Sequence, residues 1–400
     1  MAAYARILRT EDIAVLVFAS TLARVPFAIN GLAVILFLRE QTGSFAIAGL
    51  VAGAIAFGGA FGGPLSGRLV DRRGAGMLLP IAFGNGLGIL GVWALGSNDA
   101  PTAALVAAAL LTGALLPPAG SVLRARWPEL LGHDDALLRS AYALDSVTIE
   151  VSFVTGPLIT AAIVALAGPG TALGVSAVLV VLGVALFVAN LPPVPPPAEH
   201  EERGSAGIWG PLSSPTIRML ALTTLPFGFC IGTVEVALPA FAEAMGSAAL
   251  AGVLLAIWSA GSGVGGLIFG TRPPRRGIVE TYVLVSIAFP LACLPLAAAD
   301  SPAAMAALVI LAGAPIAPLI ATRNELTAWV APPGAATESF TWVLTSLIAG
   351  LSSGAAIGGA VIEARGWQEA VLLGVLAAAL GATLAIVRRG RLSAGAPLAS

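Results

Sequence analysis

The sequence predicts an all-α membrane protein: twelve transmembrane helices in two six-helix halves related by pseudo-two-fold symmetry. Three observations carry that prediction. The composition is almost free of charge, twelve apolar runs have the length needed to cross a bilayer, and one stretch of the first half recurs in the second.

Of 400 residues, 58% are hydrophobic, 48 are glycine and only 10% are charged, where a soluble domain carries about 25%. The mean hydropathy is +0.95. With 20 basic and 21 acidic residues the chain cannot clothe a globule of this size in water. A cytosolic enzyme, a secreted domain and a disordered regulator are therefore excluded, and lipid is the remaining solvent.

The runs lie at 13–38, 44–67, 76–96, 102–123, 139–163, 171–191, 216–240, 248–270, 279–298, 302–323, 339–362 and 369–387, each close to the ~20 residues a spanning helix requires. Strand alternation is absent, which excludes a barrel. The first run has no short apolar core followed by a cleavage site and is expected to be a retained helix. Between the sixth and seventh runs stand PPVPPP and AEHEERGS, a stiff and then charged stretch that stays in water. The expected organisation is an N-terminal bundle over 1–191, a cytoplasmic linker over 192–215 and a C-terminal bundle over 216–400.

Every basic residue is arginine. With the N-terminus placed inside, seventeen arginines fall on the cytoplasmic side, among them Arg6, Arg9, Arg203, Arg272 and Arg275, and two, Arg39 and Arg365, fall outside. Arg24 lies within the first run. This bias places both termini in the cytoplasm.

Residues 48–74 shifted by 203 positions overlay 251–277, with nine of 27 positions identical and no gap. Gly58, Gly62, Gly63 and Gly67 match Gly261, Gly265, Gly266 and Gly270, and Arg72-Arg73-Gly74 matches Arg275-Arg276-Gly277. Duplication into two halves puts a substrate site at their interface, near the bilayer midplane.

Twelve helices, a polar central loop and Gly67-Arg68-Leu69-Val70-Asp71-Arg72-Arg73-Gly74 together resemble the major facilitator superfamily. The loop is similar to that family's motif A, although Ala75 and Gly76 replace its closing basic pair and Pro274 stands for the aspartate in the second copy. The resemblance implies that Gly67, Asp71, Arg72, Arg73 and Gly74 form a gate. Asp71 would be the acid that latches the second helix to the eleventh on the cytoplasmic side, and Arg72 part of its charge network. Gly156-Pro157 in the fifth run resembles the antiporter motif C, of which only the Gly-Pro remains, and tilts the reading toward drug/proton antiporter-like export.

Charge inside a membrane helix is costly and marks function. Arg24 sits mid-membrane in the first run, Asp145 and Glu150 in the fifth, and Glu235 late in the seventh. Arg24 is expected to pair with Glu150 or Asp145. Movement of the guanidinium toward or away from the acid would switch its proton affinity; the other reading is a static pair pinning two helices. Candidate substrate contacts are Asn30, Glu235, Phe27, Trp258 and Trp342, with Glu235 read either as a cation or proton site or as a carboxylate reaching water. Gly261 and Gly265, Gly354 and Gly358 are four apart and promise close helix packing, as do Gly156 and Pro157; smooth faces of this kind would also let the halves rock past each other. Prolines bend the fourth and tenth runs, which read either as cytoplasmic gating segments or as ordinary helix ends with Arg124 and Arg323 as positive-inside anchors; Trp127 and Trp329 read as interface aromatics.

The near-neutral charge argues against nucleic acid. Without lysine there is no Schiff base and no Walker-type phosphate loop. Cys230 and Cys293 read as reduced core thiols, and His133 and His200 fall in polar connections, so no metal or other cofactor is expected. The sequence reading is thus a secondary active transporter, not an enzyme, in the cytoplasmic membrane. It would export an apolar or amphipathic small molecule coupled to protons, as a monomer by family analogy. An importer or uniporter of the same fold, and a membrane-embedded lipid-acting protein, are the alternatives.

Overall fold

A computed structural model describes residue 7 and residues 11–132, 134–192, 210–246, 248–271 and 276–393. The linker residues 193–209, His133, Arg6, Arg9, Arg272 and Arg275 lie outside the described residues, as do the side chains of Glu150 and Pro157.

The apolar runs fold as helices, with prolines inside several of them, because lipid leaves backbone groups no other partner. The long helices are α1 (Glu11–Thr42), α2 (Phe45–Arg73), α3 (Leu78–Ser97), α4 (Thr102–Ala114), α5 (Ala119–Leu131), α6 (Asp135–Ala167) and α7 (Pro169–Asn190). After the linker come α8 (Pro215–Ala244), α9 (Ala248–Thr271), α10 (Ile278–Cys293), α11 (Pro302–Gly313), α12 (Ile316–Val330), α13 (Ala336–Arg365), α14 (Trp367–Val387) and the short α15 (Arg389–Ser393). No strand occurs among the described residues. Among the described residues, eleven stretches are long and apolar enough to cross a membrane, with α4 and α5 forming one and α11 and α12 another. The run expected as a further span is α6, a helix of 33 residues.

Local chemistry sets the boundaries. The side chain of Ser44 accepts from the N–H of Ile47 at the start of α2, and Asp134 accepts from Ala136 and Leu137 at the start of α6, filling donors that a first helical turn leaves free. Gly74 closes α2 at φ +89°, a conformation glycine adopts without strain. Pro117 and Pro118 break the fourth run between α4 and α5, and Pro315 breaks the tenth between α11 and α12, where proline removes a donor and crowds the preceding turn.

The internal repeat reappears as a packing contact made twice. Gly58 and Gly62 of α2 lie against the backbone at Leu110 and Ala114 of α4, while Gly113 lies against Ile55. Gly261 and Gly265 of α9 lie in the same way against Ile310 and Ala314 of α11, while Gly313 lies against Trp258. A side chain at any of these six glycines would meet backbone atoms. Gly354 and Gly358 of α13 rest on Phe229 and Thr233 of α8, and Gly156 of α6 rests on Ala28 of α1. Glycine here brings backbones together. These contacts join helices on the same side of the linker, whereas Gly67 and Gly266 of the same stripes meet α13 and α6 across it.

Buried apolar residues gather into three clusters. One is drawn from Ile217 to Leu392, one from Val25 to Ala177, and one from Ile7 to Phe187 together with Ala321 and Phe340. The last two residues belong to α12 and α13, so that third cluster is where helices from either side of the linker share a core.

Candidate functional site

Beside that shared core lies a buried charge group. Arg24 reaches from α1, Arg124 from α5 and Asp145 from α6. Asp145 takes Arg24 on Oδ1 at 2.7 Å and Arg124 on Oδ2 at 2.9 Å, with its own side chain fully buried. Arg24 also donates to the hydroxyl of Ser20 at 3.0 Å and to its carbonyl at 3.2 Å. Arg124 donates to the hydroxyl of Ser121 at 3.0 Å. A Cβ at Gly120 would come within 3.2 Å of the Arg24 Nε, so this glycine lets the guanidinium lie along α5. The Phe340 ring of α13 sits 5.5 Å from the Arg124 guanidinium, and the Tyr142 hydroxyl donates to the Arg124 carbonyl at 3.3 Å. A single carboxylate thus ties three helices together, and an aromatic ring connects them to a fourth.

A second constellation joins the end of α2 to the start of α13. Arg68 donates to both oxygens of Glu338, at 3.0 Å from Nε and 2.6 Å from its terminal nitrogen. Asp71 accepts from the backbone N–H groups of Thr337 at 3.1 Å and Glu338 at 2.8 Å, and so caps α13 from another helix. The Trp342 indole donates to Glu338 at 3.3 Å. Gly67 permits the approach, since a Cβ there would stand 2.8 Å from the Thr341 hydroxyl and 3.0 Å from the Glu338 Cα. Gly210, at φ +48°, lies against the side chains of Arg68 and Glu338. Arg72 and Arg73 are exposed; the arginine in the ion pair is Arg68, which the sequence reading did not single out.

On the other side, Gly270 stands 203 residues after Gly67. Its carbonyl accepts from the Ser140 hydroxyl of α6 at 2.6 Å, and Arg139 lies 5.0 Å from the Phe269 ring. Helix α9 therefore docks on α6 much as α2 docks on α13.

Arg124, Arg323 and Trp127, read from sequence as membrane-surface residues, are buried at 5%, 5% and 0% exposure. Their side chains meet protein, so Trp127 does not face an aromatic belt and Arg124 and Arg323 are not free surface anchors. Arg323 is followed by Asn324 and Glu325, also buried. A sequence signal existed: Arg124 and Arg323 follow equivalent proline breaks.

Other candidates lie elsewhere. Asn30 is half-buried, with Oδ1 lacking a protein partner, and Phe27 is 37% exposed. Glu235 is half-buried on α8. Trp258 is packed in the core beside Gly313. Cys230 and Cys293 are buried free thiols in mutual contact.

The model of the family described as Major Facilitator Superfamily matches residues 16–289. The chain belongs to the major facilitator superfamily. No curated protein matches it in sequence. Among solved structures, it is similar to a human organic anion transporter, MFSD10 (TETRAN), at 17% identity and a TM-score of 0.72, covering 93% of this chain and 98% of that one. It is similar to a bacterial homologue of the iron transporter ferroportin in an outward-facing state, at 14% identity and TM-score 0.74, covering 94% and 98%. It is also similar to the superfamily transporter FucP in its outward conformation, at 16% identity and TM-score 0.70, covering 94% and 98%. As a superfamily member the protein is a multi-pass membrane protein with a transporter fold.

Proposed function

We propose that this superfamily member is a proton-coupled secondary transporter that exports an apolar or amphipathic small molecule by alternating access. In this reading twelve spans form two six-helix halves over 1–191 and 216–400, with both termini in the cytoplasm. The fastening of Arg68 and Asp71 to the start of α13 carries the reading. Bonds of this kind hold one end of the passage shut and can be broken and remade, which alternating access needs. With that end placed in the cytoplasm, the structure corresponds to an outward-facing state. Arg24, Asp145 and Glu150 are the proposed coupling group. Proton uptake at Asp145 requires at least one guanidinium to withdraw, a movement that rocking of α1 against α5 and α6 supplies. Asn30, Phe27, Glu235, Trp258 and Trp342 are proposed substrate contacts. The similar structures include an organic anion transporter and a bacterial homologue of an iron transporter, so the fold leaves the cargo to side chains.

The test is substrate flux in proteoliposomes under an imposed proton gradient, in both orientations, for the wild type, Asp145→Asn and Glu150→Gln. Flux driven by an inward proton gradient and lost in Asp145→Asn supports the reading. Undiminished proton-driven flux in both variants ends the coupling claim, and gradient-independent flux identifies a uniporter.

A further inference from the structure

Among the described residues, the region where α1, α5, α6 and α12 meet holds four arginines, Arg24, Arg124, Arg139 and Arg323, against two carboxylates, Asp145 and Glu325; all but Arg24 are nine-tenths or more buried. Asp145 serves Arg24 and Arg124. Glu325 Oε2 and Arg139 Nε are buried without a hydrogen-bond partner among the described residues. Among the described residues Arg323 makes no ion pair with a carboxylate. One terminal nitrogen donates to the Asn324 side chain at 3.1 Å, and its Nε and other terminal nitrogen are buried with no partner.

Arg323 borders a cavity of about 10 Å³ between α8, α10, α12 and α14, lined also by Thr223, Thr224, Tyr282 and Ser286. That is room for one particle the size of a water molecule or for the leading atom of a larger group. The Tyr282 and Thr223 hydroxyls are 2.7 Å apart, and either can be the donor. The Thr223 hydroxyl also has the Met219 and Leu220 carbonyls as acceptors, at 3.0 and 3.1 Å, so with Thr223 donating to a carbonyl the Tyr282 O–H donates to Thr223 and turns into the cavity by giving up that bond. The Thr224 and Ser286 hydroxyls donate to backbone carbonyls. A water there would satisfy hydrogen bonds but leave a buried guanidinium without a counter-charge, an arrangement that proteins avoid.

We propose that this cavity is a monovalent-anion site. Arg323 supplies the charge and two N–H donors, and Tyr282 supplies a hydroxyl donor. One positive charge and the small volume select a single negative charge. Two sources present that chemistry: a halide from solution, or the carboxylate of the transported molecule. The second makes the amphipathic cargo an anion and rests on the transport reading above; the first does not.

The experiment measures the melting temperature of the detergent-purified full chain at constant ionic strength while sulfate is replaced by chloride, and separately by benzoate. Wild-type protein is expected to show a saturable rise that Arg323→Gln abolishes and Arg218→Gln, at an exposed arginine, retains. Tyr282→Phe keeps the charge and most of the packing, and weakens the anion's apparent affinity by about tenfold, the worth of one hydrogen bond to a charged group; it provides the test should Arg323→Gln not fold. A rise with chloride alone assigns the site to a halide. A rise with benzoate, together with benzoate flux that exceeds that of benzylamine and benzyl alcohol and falls in Tyr282→Phe, assigns it to the cargo. No saturable rise with either anion, or an unchanged response in the variants, shows that the cavity holds only water and overturns the proposal. Anion binding without proton-driven flux of any probe overturns the transport reading and leaves the site standing.

Discussion

Arg68 and Glu338 stand 270 positions apart in the chain and meet through two hydrogen bonds, at 3.0 and 2.6 Å. Glu338 is 4% exposed at its side chain and Arg68 23%, so the pair is shielded on one side. A hydrogen bond to a charged group contributes about 1.5–3 kcal/mol, and a two-pronged guanidinium pair adds orientation. Glu338→Gln keeps the shape, removes the charge and gives up one acceptor. It is expected to raise hydrogen exchange in peptides covering the end of α2 and the start of α13 by about tenfold or more, following ~1.4 kcal/mol per decade. Unchanged protection in both peptides would show that the pair does not hold the helices together.

Asp71 acts on the same helix end through the backbone. Its carboxylate accepts two N–H groups of α13, the role an N-cap residue ordinarily plays from within its own helix. Loss of a cap costs about 1 kcal/mol. Asp71→Ala is expected to lower the melting temperature and to loosen the start of α13 in the same exchange experiment. Asp71→Asn, which keeps one acceptor, is expected to fall between Ala and wild type. Equal behaviour of Asn and wild type would leave the negative charge at the helix terminus without effect.

These two residues also show what was readable in advance. The resemblance of Gly67–Gly74 to motif A marks the segment and implies Asp71 as the latch acid; expected as a loop, it is the last turns of α2 as far as Arg73, closed by Gly74. Arg68 was not readable, since its partner lies in a helix that only the tertiary fold brings near. Arg124 and Arg323 misled for a related reason. An arginine just past a proline break at the end of an apolar run has the same local pattern whether its side chain meets water or protein. Composition and run length gave the helices; they could not say which face of a helix meets another.

The Arg24–Asp145–Arg124 group makes an ordered prediction. Asp145→Asn leaves two guanidiniums facing each other in a buried site, Arg124 being 5% exposed. Breaking a buried pair by removing one partner costs about 3–5 kcal/mol. Arg24→Gln leaves Arg124 and Asp145 still paired at 2.9 Å and is expected to cost less. The predicted order of melting temperatures is wild type, then Arg24→Gln, then Asp145→Asn. Partial recovery of Asp145→Asn on adding Arg24→Gln would identify repulsion between the arginines as the cause, and strict additivity would exclude it.

The repeated glycine contact distinguishes packing from sliding. Gly62 faces the backbone at Ala114, and Gly265 faces the backbone at Ala314, whereas Gly63, one residue along α2, has nothing within 4 Å of the place a Cβ would take. Alanine at Gly62 or Gly265 must push two helices apart, at a cost of about 1–3 kcal/mol for overpacking. Alanine at Gly63 adds no clash and reduces the freedom of the unfolded chain, a gain of about 0.4–1 kcal/mol. Melting temperatures are therefore expected to fall in Gly62→Ala and Gly265→Ala by similar amounts and to hold or rise in Gly63→Ala. Because α2 grips α4 and α9 grips α11 on the same side of the linker, transport per folded molecule in the first two variants is expected to fall less than the folded yield. A full yield of folded protein with slowed turnover would instead mean that these faces move against each other during the cycle.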